Sequence, residues 1–197
     1  MSFTAGSLFH GESVNIAKLY LDHGDWNVVR DMVIADNLLQ ARTLSTLKRV
    51  CREVLSRIQT LSYDTLEFFV EGNSQEQGYL LWLAICRRYN FIADFAVEVL
   101  RERYISLKTD VTYDDFDSFF NRKSEWHCEL DDLTQTTREK LRQILFKMLR
   151  QADLLAVNNT INAAMLSPRL LELILQGDRR DLLYFPVNES YLRRIAR

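Results

Sequence analysis

The spacing of apolar residues in the first third of the chain predicts three helices joined by short turns. Apolar positions recur at the helical period in Glu12–Asp22, Trp26–Ala35 and Thr43–Gln59, so each segment has one face suited to burial. Gly24 ends the first helix, and a polar break around Asn37 separates the second from the third. Three helices with tight turns, the third being the longest, are typical of a helix-turn-helix unit.

The third helix divides into an apolar face and a basic face. The predicted apolar face consists of Leu44, Leu47, Val50, Cys51, Val54, Leu55 and Ile58. The predicted DNA-binding residues occupy the other face, its margin and the residue before the helix: Arg42, Ser45, Lys48, Arg49, Arg52, Ser56 and Arg57. Long cationic side chains reach phosphates or guanine acceptors, and serine hydroxyls bond phosphates or base edges. A solvated helix surface carries similar residues, so this pattern alone leaves both interpretations open.

The middle of the chain supplies the most apolar element. Leu61–Glu71 is a shorter amphipathic stretch, and Gly72–Gly78 is predicted to be a break because it is rich in Gly, Asn, Ser and Gln. Tyr79–Tyr104 is apolar on nearly every side and forms either one long helix or two helices broken near Asn90. We expect this element to lie at the centre of the core.

Two further helices are predicted from capping boxes. Thr112–Asp115 matches a capping box that opens a helix, Glu125–Thr134 is expected to be irregular, and Thr136–Glu139 matches a box that opens a helix ending near Ala152. The polar face of this last helix holds a second set of predicted DNA-binding residues: Lys140, Gln143, Lys147 and Arg150.

The segment after this basic helix predicts a small β-hairpin. Leu154–Val157 and Thr160–Ala163 flank the dipeptide Asn158-Asn159, which suits a tight turn. A basic amphipathic helix followed by a hairpin is the order at the end of a winged helix-turn-helix. Ser167-Pro168 then begins a final helix that Gly177 stops.

The predicted fold class is therefore mainly α, with a helix-turn-helix-like N-terminal unit and a winged-helix-like C-terminal unit. Six glycines and two prolines in 197 residues are too few for the turns of an all-β fold. The predicted units are residues 1–72, a central helical unit 73–108, and 109–197, which together form one compact body. The last unit ends in a basic tail with Arg179, Arg180, Arg193, Arg194 and Arg197.

Charge is distributed unevenly along a chain whose formal net charge is only −2. Residues 110–132 contain eight acids against Arg122 and Lys123, a net charge of −6, whereas residues 136–151 contain five bases against Glu139, a net charge of +4. The whole protein therefore exerts no general attraction on polyanions. A nucleic-acid site must be a local basic face.

No motif for catalysis, metal binding or cofactor binding occurs in the sequence. The three histidines are scattered, the three cysteines form no CxxC pair, and phosphate-loop, dinucleotide, nucleophile-elbow and HExxH motifs are missing. We expect a non-enzymatic protein with no cofactor and no small-molecule substrate. Unpaired cysteines in apolar patterns favour a reducing cytoplasm, and the apolar runs are too short to span a bilayer.

Four long blocks of sequence resemble the BrxA family of BREX phage-defence systems. They are LLWLAICRRYNFIADFAVEVLRERY, DDFDSFFNRKSEWHCEL, TTREKLRQILFKMLRQADLL and LSPRLLELI. The similarity runs from the N-terminal arm to about Ile174. None of the four blocks is a catalytic signature.

The resemblance implies a small helical, cytoplasmic protein that binds double-stranded DNA. It also implies partners in the same system, namely a methyltransferase, a phosphatase-like protein and an ATPase. Two alternatives stay open: a protein-only scaffold of the defence complex, and an RNA-binding protein like NusB. RNA binding would call for exposed aromatic side chains, and most aromatics here fall in core patterns.

Overall fold

The computed structural model describes residues 6–188, except for the side chains of Cys128 and Glu129. Its helices, in chain order, are α1 (His10–His23), α2 (Trp26–Ala35), α3 (Leu44–Ile58), α4 (Tyr63–Glu71), α5 (Ser74–Arg88), α6 (Asn90–Phe95), α7 (Glu102–Ile105), α8 (Tyr113–Ser124), α9 (Cys128–Asp131), α10 (Gln135–Gln151) and α11 (Pro168–Gln176). A π-helical stretch, Ala96–Arg101, joins α6 to α7, and a 3₁₀ turn, Arg179–Tyr184, follows α11. The mainly α class is confirmed. The tail arginines from Arg193 onward lie outside the described residues.

Several helix ends lie where local chemistry predicts them. The Thr43 hydroxyl accepts the Thr46 N–H at the start of α3, and Thr112 and Asp115 form the predicted capping box of α8. Gly24 ends α1 in the left-handed region at φ 70° and donates to the Tyr20 carbonyl, a conformation that glycine adopts without strain. These contacts satisfy backbone groups that helix ends leave unpaired.

The predicted break at residues 72–78 is largely wrong. A capping box of Asn73 and Glu76 starts α5 at Ser74, so Gly78 lies inside the helix. A Cβ on Gly78 would be 3.5 Å from the Ala152 Cα. Gly78 therefore lies at the contact between α5 and the end of α10, and the local sequence cannot reveal that packing.

The boundaries around α10 also differ from the predictions. Thr134, rather than the predicted Thr136 box, caps this helix by accepting the Thr137 N–H at 3.3 Å. The stretch before it, predicted to be irregular, contains the one-turn helix α9. Either threonine suits an N-cap, so local propensity alone does not choose between them.

Helix α5 forms the centre of the core, as its apolar composition predicts. Every residue from 78 to 86 is buried, and the Trp82 indole donates to the Tyr184 carbonyl at 2.9 Å. At its end, Arg87 pairs with the buried Asp181 at 2.7 Å and donates to the Thr60 carbonyl at 2.8 Å. The chain then breaks at Tyr89, between α5 and α6, which confirms the two-helix alternative near Asn90.

An aromatic cluster joins α6 to α8. Phe91 packs edge-on against Phe119 with ring centroids 5.0 Å apart, and Phe95 does the same at 5.3 Å. Phe116 and Phe120 complete the cluster. Edge-to-face packing of buried rings stabilises this contact beyond the burial of apolar area, so it fixes α8 on the central helices.

The predicted hairpin is present as a small element held by single bridges. Leu155 bridges Ile161, and Ala156 donates to the Thr160 carbonyl at 2.9 Å. The turn is one residue longer than predicted, because it spans residues 157–159 with Asn159 at φ 67°. A left-handed third residue is typical of three-residue hairpin loops. The segment before α8 adds a third arm, since Asp110 bridges Thr160.

The N-terminal arm, residues 6–9, contacts elements from both halves of the sequence. The Leu8 N–H donates to the Gln151 side chain at 2.9 Å, and Arg57 donates to the Ser7 carbonyl at 2.7 Å. The arm therefore contacts the last residue of α10 and the last turn of α3. The division into units 1–72, 73–108 and 109–197 stays a prediction.

Candidate nucleic-acid interface

Helix α3 exposes its basic face because its apolar face is committed to the core. Leu47, Cys51, Val54 and Ile58 are each at most 2% exposed. This stripe fixes the rotation of the helix about its axis. The residues opposite the stripe must then face solvent.

Four cations of the predicted DNA-binding set lie on this exposed surface. Arg42, Lys48, Arg49 and Arg52 are exposed, as is Ser45. Within residues 6–188, no carboxylate forms an ion pair with any of these four cations. Their charges are therefore available to an external anion, and we call this surface the α3 basic face.

Two other members of the predicted set face inward. The Ser56 hydroxyl is half-buried and donates to the Glu53 carbonyl at 2.9 Å. Arg57 is only 1% exposed, so its prediction as a surface DNA contact is wrong. The helical pattern puts Arg57 at the margin of the polar face, and the arm covers that margin.

Arg57 belongs to a buried polar network. It donates to Glu53 Oε1 at 2.8 Å, and the Tyr89 hydroxyl donates to the same oxygen at 2.5 Å. The guanidinium also lies over the Phe9 ring, 5.4 Å from its centroid. Burial, together with the hydrogen bond to Glu53, raises the pKa of Tyr89 to about 12. The network therefore has a structural role between α3, the arm and the α5–α6 junction.

Leu44 departs from the predicted apolar face. It is 57% exposed and borders a shallow surface depression together with Ser45, Lys48, Arg49 and Arg52. The first turn of α3 projects beyond the core, which explains this exposure. An apolar side chain here adjoins the α3 basic face.

The second predicted face, on α10, is only partly at the surface. Lys140, Gln143 and Lys147 are exposed. Arg150 is half-buried, donates to Asn159 Oδ1 at 2.6 Å and lies 5.9 Å from the centroid of the Phe146 ring. Arg150 therefore holds the hairpin onto α10 and is less exposed than its place on the polar face predicts, and its DNA contact stays a prediction.

Ion pairs with α8 reduce the positive charge that α10 presents to an external anion. Arg138 pairs with Asp117 at 3.0 Å, and Arg142 pairs with the other oxygen of the same carboxylate. Arg138 also donates to Asn121 at 2.7 Å. The net charge of +4 in residues 136–151 thus overstates what this helix offers to an anion.

Arg30 is a basic residue near α3 that the sequence pattern does not single out. It lies exposed on α2 and lines a cleft of about 390 Å³ between α2 and α3. The remaining lining residues are Ile34, Lys48, Cys51, Arg52, Leu55, Ser56 and Gln59. Only the polar position of Arg30 on amphipathic α2 signals exposure, because sequence does not show which edges of two helices meet. We call this feature the α2–α3 cleft.

Several acidic side chains of the described chain have structural roles, and the described acids do not converge on a metal site. Among residues 6–188, no group of three or more His, Cys, Asp or Glu side chains is placed to hold a metal ion. Asp115 caps α8, and Asp117 pairs with arginines. No helix in this part of the chain is long and apolar enough to cross a membrane.

Comparison with known proteins places this arrangement in a family. The family model of BrxA matches residues 1–178. The BREX protein BrxA of Escherichia coli O9:H4 (strain HS) is 24% identical over 180 residues, which cover 90% of this chain and 84% of that protein. The BREX protein BrxA of Bacillus cereus (strain H3081.97) is 24% identical over 127 residues, 64% of each chain.

A solved structure has the same fold. The crystal structure of an uncharacterized protein from Magnetospirillum magneticum superposes with a TM-score of 0.81 and 17% sequence identity. The superposition covers 93% of this chain and 95% of that chain. At this identity the likeness supports the fold and says nothing about activity.

Proposed function

Because the chain belongs to the BrxA family, we propose that it is a non-enzymatic, double-stranded DNA-binding component of a BREX phage-defence system. Its relatives are named as BREX proteins, which supports the assignment to the system. The proposed DNA contact is the α3 basic face, supplemented by Lys140, Gln143 and Lys147 of α10. In this proposal, the protein works in the cytoplasm beside a methyltransferase, a phosphatase-like protein and an ATPase of the system.

The main support for the proposal is the difference between cations that pair with carboxylates of this chain and cations that do not. Arg87, Arg103 and Arg142 each pair with a carboxylate of this chain, so they stabilise the fold. Lys48, Arg49 and Arg52 share one exposed helix face and have no such partner in residues 6–188. A cluster of unpaired cations on a rigid helix is suited to duplex phosphates, and binding there releases condensed counterions.

The C-terminal half supports a second contact with DNA. Segment 109–111, α8, α10 and the hairpin follow one another in the order of a winged helix-turn-helix. The segment also bonds to the outer arm of the hairpin, since the Ile161 N–H donates to the Thr109 carbonyl at 2.8 Å. We infer that α10 has the position of the recognition helix and that residues 157–159 have the position of the wing tip.

We expect weak sequence preference. Asn and Gln read adenine through bidentate hydrogen bonds in the major groove, whereas Arg binds phosphates as well as guanine. The α3 basic face contains no exposed Asn or Gln between residues 44 and 58. Its contacts are therefore suited to the backbone, which carries no direct sequence information.

The proposal is tested by fluorescence-anisotropy titration with two unrelated duplexes of about 30 base pairs, long enough for one to two half-site spacings, and with the matching single-stranded RNA. We expect both duplexes to bind with similar affinity and more tightly than the RNA. Preference for one duplex by more than about 100-fold would contradict weak sequence preference, because specific sites are typically at least that much tighter. Tighter binding of the RNA would contradict the choice of duplex DNA.

A protein-only scaffold is the second candidate, and one observation favours it. Trp126 is 83% exposed, and exposed tryptophans commonly anchor protein interfaces. Wild-type protein that binds neither duplex nor RNA at low salt, combined with loss of complex assembly when Lys48, Arg49 and Arg52 are reversed in charge, would establish the scaffold in place of DNA binding.

A further inference from the structure

The α2–α3 cleft combines a cationic rim with an apolar floor. Arg30, Lys48 and Arg52 are exposed at its rim. Cys51 and Leu55, at 1% and 7% exposure, form part of the floor. Of the rim cations only Arg30 has a carboxylate partner in the described chain, the exposed Asp31 at 3.0 Å, and water screens that pair strongly. The chemistry of the cleft suits a bulky apolar or aromatic group that carries negative charge beside it.

Such a group occurs elsewhere on the same chain, in residues 125–132, which we call the acidic segment. Trp126 is 83% exposed at its start. The turn that presents it is held by hydrogen bonds from the Trp126 N–H to the Lys123 carbonyl at 3.2 Å and from the His127 N–H to the Ser124 carbonyl at 3.3 Å. Tryptophan is highly buried on average in folded proteins, so an indole with this exposure offers a large apolar surface to a partner.

Three carboxylates of the acidic segment have no ion-pair partner among the described side chains. Glu125, Asp131 and Asp132 are exposed, and no cation of residues 6–188 forms an ion pair with them. The nearest cations in sequence, Arg122 and Lys123, already pair with Glu98 and, for Lys123, also with Asp94. The segment therefore presents an aromatic anchor beside exposed carboxylates that have no ion-pair partner among the described side chains.

We propose that the acidic segment of one copy docks into the α2–α3 cleft of a second copy of this chain. Trp126 packs on the apolar floor beside a rim guanidinium, where a cation–π contact adds to burial. The carboxylates of the segment face the rim cations, and this complementarity fixes which surfaces meet. A single side-chain anchor is a small interface, so the association is weak and reversible.

The proposed contact has a consequence for DNA binding. Lys48 and Arg52 belong both to the cleft and to the α3 basic face, so this step rests on the proposed function. A second copy and duplex DNA compete for these cations, and by linkage each ligand lowers the affinity of the other. Self-association would thus keep the α3 basic face covered until DNA displaces the acidic segment.

Sedimentation velocity without DNA tests the contact itself. At low salt, the average mass of the wild type should rise with protein concentration and return to that of the monomer as salt is added, because the charges are screened. Trp126→Ala should stay monomeric under the same conditions, whereas Trp126→Phe, which keeps an aromatic anchor, should retain part of the association. Because Trp126 is exposed and outside the DNA face, Trp126→Ala should bind duplex DNA at least as tightly as the wild type.

A mixing experiment tests which surfaces meet. Trp126→Ala keeps the cleft but lacks the anchor, whereas the double variant Arg30→Glu/Arg52→Glu keeps the anchor but has a reversed rim. Each variant alone should be monomeric, and an equimolar mixture should form a complex of one copy of each. Both substituted arginines are exposed, so the double variant should fold, which thermal unfolding checks.

Three results would overturn the inference. The wild type could be monomeric at every concentration, which would leave the cleft to an acidic segment of another protein. Trp126→Ala could associate as the wild type does, or the two variants could fail to combine. None of these measurements contains DNA, so their failure is distinguishable from a failure of DNA binding.

Discussion

At the scale of single residues, Arg52 and Arg57 show that a helical pattern predicts the exposure of some side chains and not of others. Both lie on α3, and the angular positions of the apolar residues predict both on its DNA-binding surface. Arg52 is exposed and Arg57 is 1% exposed. The difference comes from Ser7 and Phe9, which are about fifty positions away in sequence and cover one edge of the helix.

Removing the Arg57 side chain should destabilise the protein strongly. Arg57→Ala removes the cation that pairs with Glu53 and the donor to the Ser7 carbonyl, and breaking a buried ion pair costs about 3–5 kcal/mol. Urea unfolding followed by circular dichroism measures the free energy of unfolding. Arg52→Ala is the matched control on the same helix and should change it by less than about 0.5 kcal/mol. Equal small effects for both variants would contradict the role assigned to the buried network.

Tyr89 should make stability depend on alkaline pH. Its pKa of about 12 in the fold exceeds the ordinary value near 10, so folding favours the neutral phenol. This contribution is complete below pH 10 and is lost as pH rises toward 12. The stability advantage of the wild type over Tyr89→Phe, measured by urea unfolding, should therefore shrink between pH 9 and pH 11. An advantage that is constant or grows with pH would contradict the proposed hydrogen bond to Glu53.

At the scale of secondary structure, most helices are predictable because their information is local. The predicted bounds of α2 agree with the structure, and the caps at Thr43, Thr112 and Ser167 lie where side-chain chemistry places them. The start of α5 is not predictable in this way. Gly72 and Gly78 signal a break locally, and the packing of α5 against α10 explains why Gly78 is nevertheless helical.

Gly78→Ala tests the packing of these two helices. The added Cβ would meet Ala152 and the Gln151 carbonyl at 3.5 and 3.6 Å, which is ordinary van der Waals contact. Alanine is better than glycine inside a helix by about 1 kcal/mol, so this variant should be as stable as the wild type or more stable. Gly78→Leu should be destabilised by about 1–3 kcal/mol because the larger side chain overpacks the contact. Thermal unfolding distinguishes these results, and a loss of stability in Gly78→Ala comparable to that in Gly78→Leu would contradict the described spacing.

At the scale of the whole molecule, the distribution of charge is more informative than its sum. A net charge of −2 correctly directs attention to local basic faces. Local net charge is still an incomplete guide, because Asp117 on α8 pairs with both Arg138 and Arg142 on α10 and offsets part of their charge. Which cations stay available to an external anion depends on contacts between distant elements. The sequence therefore predicts most of the exposed cations of α3, but only part of those of α10.

The salt dependence of duplex binding tests whether the α3 basic face neutralises DNA phosphates. For a duplex of about 30 base pairs, a logarithmic plot of the binding constant against salt concentration should have a negative slope of about 0.9 for each phosphate neutralised. The triple variant Lys48→Ala/Arg49→Ala/Arg52→Ala should bind more weakly, and its slope should be shallower by about 1 for each phosphate that it no longer neutralises. Arg169→Ala removes an exposed arginine that pairs with Glu172 on α11 and should leave both quantities unchanged. A triple variant that binds with wild-type affinity and slope would contradict the assignment of DNA binding to α3.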